Sequence, residues 1–122
     1  MASVLIIDDD TSIRRVLRTA LERAGHQVEE AGDGAEGMAR YRSSPADLVV
    51  TDVYMPDQDG IETIQQLRAE FPSSRILAIS GGSVGGASGT LTDAMLFGAD
   101  ATLAKPFTVQ ELVAAVAGLL SE

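Results

Sequence analysis

With 122 residues, 45 % of them hydrophobic and 22 % charged, the chain is long enough to bury one core and matches the usual size of a single domain. It has no cysteine, which excludes a disulfide framework and thiolate metal sites, and no apolar run approaches the roughly 18 residues of a membrane span. Eighteen acidic residues against nine basic ones give a formal charge of −9, which opposes binding to a phosphate backbone, so nucleic acid is not expected as a direct ligand. The first residues contain no basic segment, long apolar stretch or small-residue cleavage site, so the expected location is cytoplasmic, without membrane contact.

Val4 to Ile7 is a continuous apolar run ended by Asp8, Asp9 and Asp10. From Thr11 to Ala24, the residues Ile13, Val16, Leu17, Ala20, Leu21 and Ala24 recur at helical spacing. The pair reads as a strand and an amphipathic helix, with Gly25 closing the helix. Gln27 to Ala31 begins a second extended run, Asp33-Gly34 turns the chain, and a short helix is predicted from Ala35 to Tyr41. Asp47 to Thr51 reads as a third strand buried on both faces, with Asp52 at its carboxyl end ahead of a Pro/Asp/Gly loop that ends at Gly60. The next helix carries Ile61, Ile64, Leu67 and Phe71. Ile76 to Ser80 makes a fourth strand, Gly81 to Gly89 a glycine-rich loop, Thr90 to Phe97 a further helix and Ala101 to Ala104 a fifth strand. Thr108 and Glu111 have capping-box spacing, and Val109, Leu112, Val113, Val116, Leu119 and Leu120 form the buried stripe of a last helix.

Strands alternating with helices in this way imply right-handed crossovers and a doubly wound α/β fold, its parallel sheet covered on both faces. That fold uses the whole chain and leaves no room for an output domain. Sites in such sheets form outside the carboxyl ends of the strands. The polar residues that interrupt the apolar runs fall there: Asp8 and Asp9 after the first strand, Asp52 after the third, Ser80 after the fourth and Lys105 after the fifth. Carboxylates gathered together either raise a pKa strongly or hold a divalent cation. Mg²⁺ suits them, since it prefers oxygen ligands and is commonly held by one or two carboxylates together with phosphate oxygens. A lysine and a hydroxyl suit the remaining phosphoryl oxygens, so the set describes a phosphoryl-transfer site with a carboxylate nucleophile.

Five segments, in order along essentially the whole chain, resemble the motifs of response-regulator receiver domains. They are Val4-Leu5-Ile6-Ile7-Asp8-Asp9-Asp10, Thr51-Asp52-Val53-Tyr54-Met55-Pro56-Asp57-Gln58-Asp59-Gly60, Ile79-Ser80, Gly98-Ala99-Asp100 and Lys105-Pro106-Phe107. The resemblance implies a flavodoxin-like (βα)5 receiver domain over residues 1–122, with strand order 2-1-3-4-5. It makes Asp52 the phosphoacceptor, with Asp8, Asp9, Asp52 and the main-chain carbonyl of Tyr54 around Mg²⁺. Lys105 would neutralise the phosphoryl group, Ser80 would donate to it, and Pro106 would follow a cis peptide. The implied donors are a histidine kinase or a histidine phosphotransfer protein, and the implied consequence is altered affinity for a target protein. The chain is then a phosphoacceptor regulator rather than an enzyme acting on a separate substrate. Three departures stand out: Thr102 where an aromatic switch residue is usual, a longer and glycine-rich segment between Ser80 and Lys105, and Tyr54 and Gly82 at the variable positions that tune acyl-phosphate hydrolysis.

Simpler readings apply to neighbouring residues. Asp10, just before a helix, is read as its N-cap. Asp57 and Asp59 beside Gly60 lack the alternating ligands of a calcium loop and are read as a turn. The glycines from Gly81 to Gly89 lack the spacing of a phosphate cradle, and His26 is read as a surface residue. Arg14, Arg15 and Arg18 are read as the solvated face of the first helix, with kinase docking as the family's alternative. An aspartate-nucleophile phosphatase of the haloacid dehalogenase type is the rival from the enzyme class. It expects a second acid two residues after the nucleophile, where this chain has Tyr54, and a substrate cap. A phosphorylation-independent interaction module is a third reading, and flavin binding a weak fourth.

Overall fold

A computed structural model describes residues 2–53, 60–80 and 98–121, without the side chain of Ser80. Each apolar run becomes a strand: β1 (Ser3–Ile7), β2 (Gln27–Ala31), β3 (Leu48–Asp52), β4 (Ile76–Ser80) and β5 (Ala101–Ala104). Four helices accompany them among the described residues: α1 (Thr11–Arg23), α2 (Gly34–Ser43), α3 (Gly60–Glu70) and α4 (Val109–Leu120). The helix expected at Thr90 to Phe97, the Gly81 to Gly89 loop, Gly82 and the turn holding Asp57 and Asp59 lie outside the described residues.

All strand pairs are parallel, in the order β2-β1-β3-β4-β5, as the resemblance implied. Successive side chains of a strand point to opposite faces, so a strand covered on both sides must be apolar throughout. Leu5, Ile7, Val49, Ile76 and Ala78 accordingly pack with Met38, Tyr41, Ile64 and Leu67 from α2 and α3. Val4, Ile6, Leu48, Val50, Leu77 and Ile79 pack on the other face with Leu17 and Leu21 of α1 and Leu112 and Val116 of α4.

Local chemistry sets the boundaries. Asp10 caps α1 by accepting from the backbone N–H groups of Ser12 (2.9 Å) and Ile13 (3.2 Å). The helix stops at Arg23 because Gly25 takes φ +98°, which lets Gly25 N–H reach the Glu22 carbonyl and His26 N–H the Leu21 carbonyl. Thr108 and Glu111 make both hydrogen bonds of the capping box at the start of α4. Both ends of two expected elements move. The second helix begins at Gly34 and runs to Ser43, because Asp33 caps it by accepting from Glu36 N–H. Asp47 falls outside β3, its carboxylate accepting from the backbone and hydroxyl of Ser3. The strand continues instead through Asp52, which pairs with Ile79 of β4.

Candidate functional site

The switch in strand order lies between β1 and β3, and there Asp8 follows β1 and Asp52 ends β3. Asp8 follows β1 and is continued into the ladder by its N–H, which donates to Ala31 of β2. Asp52 ends the central strand β3, where the buried Thr51 hydroxyl donates to the Asp52 main-chain carbonyl and Val53 N–H donates to Ile79. The two aspartates are 2 % and 8 % exposed. Asp9, at the start of the β1–α1 turn, faces solvent. One carboxylate oxygen from each of Asp8, Asp9 and Asp52 lies within 4.8 Å of the others.

Lys105, just past the carboxyl end of β5, reaches the cluster at the same end of the sheet. Its Nζ lies 3.6 Å from Asp52 Oδ2 and 3.8 Å from Asp8 Oδ2. One ammonium therefore faces two buried carboxylates, and the imbalance appears in Asp8, whose pKa is pushed up to about 6. Burial is the main cause, and the Asp52 and Asp9 charges act in the same direction. The Asp10 N–H, donating to Asp8 Oδ1 at 2.9 Å, and the Lys105 charge oppose it. An oxygen-only cluster with excess negative charge is donor chemistry that suits Mg²⁺.

Of the residues singled out in the sequence, Asp8, Asp9, Asp52 and Lys105 come together. The backbone of Ser80 lies beside Ala104, one residue before Lys105, but its hydroxyl is outside the described residues, as is Tyr54. The Lys105–Pro106 peptide is cis, as the resemblance implied. Thr102 is half-buried in β5. His26 is half-buried rather than on the surface, its Nδ1 turned inward without a hydrogen-bond partner.

Two contributors are not apparent from the sequence. Arg14 is not a solvated residue of α1: its guanidinium donates to the Asp8 main-chain carbonyl at 2.6 Å and to Glu30 at 3.0 Å. Arg18 likewise reaches Glu30 and Glu22. Gly60, read as the end of a loop, starts α3 with its backbone pressed against the carbonyl of Asp52 and against Val53, where any Cβ would overlap them. A parallel register that brings β2 beside β1 is needed to see the first contact, and the path of the chain after Asp52 to see the second.

Comparison with known proteins agrees with this architecture. The family model for the response regulator receiver domain matches residues 4–117, and the chain belongs to that family. It is 37 % identical over 118 residues to the DNA-binding transcriptional regulator NtrC of Azospirillum brasilense, covering 94 % of this chain and 23 % of that protein. It is 38 % identical over 117 residues to the response regulator MprA of Mycobacterium avium, covering 96 % of this chain and 50 % of the relative. The chain thus spans a quarter to a half of the length of these relatives. The chemotaxis protein CheY4 of Vibrio cholerae superposes with a TM-score of 0.87 at 30 % identity, covering 98 % of both chains. Among the described residues no helix is long and apolar enough to cross a membrane.

Proposed function

We propose that this receiver domain is the phosphoacceptor switch of a two-component phosphorelay, taking a phosphoryl group from a phosphohistidine donor onto Asp52 with Mg²⁺ as cofactor. The observation that carries the reading is the buried Asp52 carboxylate, 3.6 Å from the Lys105 ammonium and within reach of Asp8 and Asp9. In the transfer, the P–N bond of the donor breaks as a P–O bond forms to a carboxylate oxygen of Asp52. The imidazole leaves with the electron pair of the broken bond and is neutralised by a proton from solvent. A carboxylate nucleophile has no proton to lose, so this step would need no general base. Lys105 meets the charge that gathers on the phosphoryl oxygens. Mg²⁺, held by Asp8, Asp9 and Asp52, would offset the repulsion between nucleophile and phosphoryl group. The Ser80 hydroxyl as a donor to the phosphoryl group and the Tyr54 carbonyl as a further metal ligand belong to the same reading, supported by the family resemblance. No separate substrate is turned over.

The donor is read as a histidine kinase or a histidine phosphotransfer protein. An apolar groove beside Lys105, lined by Ile13, Val16, Leu17, Pro106 and Phe107, supports approach from that side. Val16, 61 % exposed on α1, is an apolar side chain left open at its edge. The phosphorylated form would then change its affinity for a target protein, and the charge of −9 argues against DNA as that target. Incubation with phosphoramidate, a small P–N donor, and Mg²⁺ tests the chemistry. The reading predicts a hydroxylamine-sensitive phosphoryl group that is lost in Asp52→Asn. Label that survives both hydroxylamine and Asp52→Asn would contradict it.

A further inference from the structure

We propose that Arg14 is a positioning residue for the cation site, holding the peptide that carries Asp8 and Asp9 while Glu30 balances its charge. The inference rests on the reading of Asp8, Asp9 and Asp52 as Mg²⁺ ligands. The ladder between β1 and β2 ends with Asp8 N–H donating to Ala31. Beyond it the chain turns into α1, and the orientation of the peptide between Asp8 and Asp9 sets where both carboxylates point. The Asp8 carbonyl accepts from one arm of the Arg14 guanidinium at 2.6 Å. The same guanidinium donates through Nε to Glu30 of β2 at 3.0 Å and through its other arm to Thr11 Oγ1 at 3.3 Å. A planar fork bonded on three sides restrains the carbonyl far better than a single flexible donor could.

The choice of partners bears on the cation. An unpaired guanidinium beside three carboxylates would compete with Mg²⁺ for their charge. Glu30 removes that competition: it pairs with Arg14 and also with Arg18 at 3.0 Å, and Arg18 is further paired with Glu22 at 3.1 Å. The arginine holds the peptide, and the pocket keeps its negative charge for the cation. Partners behind metal ligands commonly alter affinity by about 10–100-fold when removed.

The test is Mg²⁺ titration of the intact chain and its variants, followed by calorimetry and by the amide resonances of Asp52 and Val53, with melting in EDTA measured alongside. Arg14→Ala should weaken Mg²⁺ about 10-fold. Arg14→Lys should recover part of this, since one ammonium cannot bridge the Asp8 carbonyl and Glu30 together. Glu30→Gln, which loses the ion pairs but keeps a neutral acceptor for Arg14, should weaken Mg²⁺ several-fold with only a modest fall of melting in EDTA, and it decides the matter if Arg14→Ala does not fold. Wild-type Mg²⁺ affinity in folded Arg14→Ala, or in Glu30→Gln, would overturn the positioning role even if melting fell, because a merely structural contact lowers stability alone. A wild-type chain that bound no Mg²⁺ would overturn the metal-site reading and this inference together.

Discussion

At the scale of single residues, Asp8 makes the most specific statement about charge. Its pKa stands at about 6 in the metal-free fold against an ordinary 3.8, so the folded chain holds a proton that the unfolded chain releases. Stability from this group is therefore complete below the ordinary value and is lost as pH rises through about 6. Glu30 behaves oppositely: the Arg18 and Arg14 guanidiniums hold its pKa low, so its contribution is present at neutral pH and is lost only under more acid conditions. The loss belongs to the interval from about pH 4.5 to 7, where comparison with Asp8→Asn assigns it to Asp8. In EDTA the melting temperature should fall as pH rises across it, and Asp8→Asn should flatten the slope. Lys105→Met removes a charge that lowers the Asp8 pKa and should move the midpoint to higher pH. A melting temperature independent of pH in wild-type chain with EDTA would contradict the arrangement of these charges.

At the scale of elements, two glycines in helices make opposite predictions. Gly60 opens α3 against the Asp52 carbonyl, so Gly60→Ala forces backbone apart and should destabilise the fold by about 1–3 kcal/mol and displace the Asp52 loop. Gly118 lies inside α4, and a Cβ added there would meet nothing within 4 Å, so Gly118→Ala should stabilise by about 0.5–1 kcal/mol. Urea unfolding of both variants checks the pair, and equal effects of the same sign would contradict it. The contrast also marks what can be read from sequence. Strand cores, caps and the Thr108–Glu111 box are local patterns and are legible to within a few residues. The carboxyl-end residues Asp8, Asp52 and Lys105 are legible because they break or follow the apolar runs at the end of the sheet where sites of this fold form. Gly60 and Arg14 are not, because one depends on how the chain returns against Asp52 and Val53 and the other on where β2 lies beside α1. Arg14 sits on the polar side of α1, where helical periodicity assigns it to solvent, and only the position of β2 gives it Glu30. His26 departs from its surface reading for a related reason: a turn residue next to Gly25 can still tuck its ring against the fold.

At the scale of the whole molecule, the sheet gathers at its switch point a charge repulsion that a cation would relieve. Mg²⁺ should therefore raise the melting temperature by mass action, by the equivalent of about 2.7 kcal/mol at a free concentration a hundredfold above its dissociation constant. Asp9→Ala should reduce this rise while leaving the metal-free chain almost as stable, because Asp9 faces solvent. If carboxylate, cation and ammonium act as one phosphoryl-accepting unit, removing any of them must abolish acceptance, and intact-mass measurement after incubation with acetyl phosphate decides it. The chain should gain one phosphoryl group in Mg²⁺, none in EDTA and none as Asp52→Asn. Failure of wild-type chain to gain it in Mg²⁺, or undiminished gain in EDTA or in Asp52→Asn, would contradict that unit.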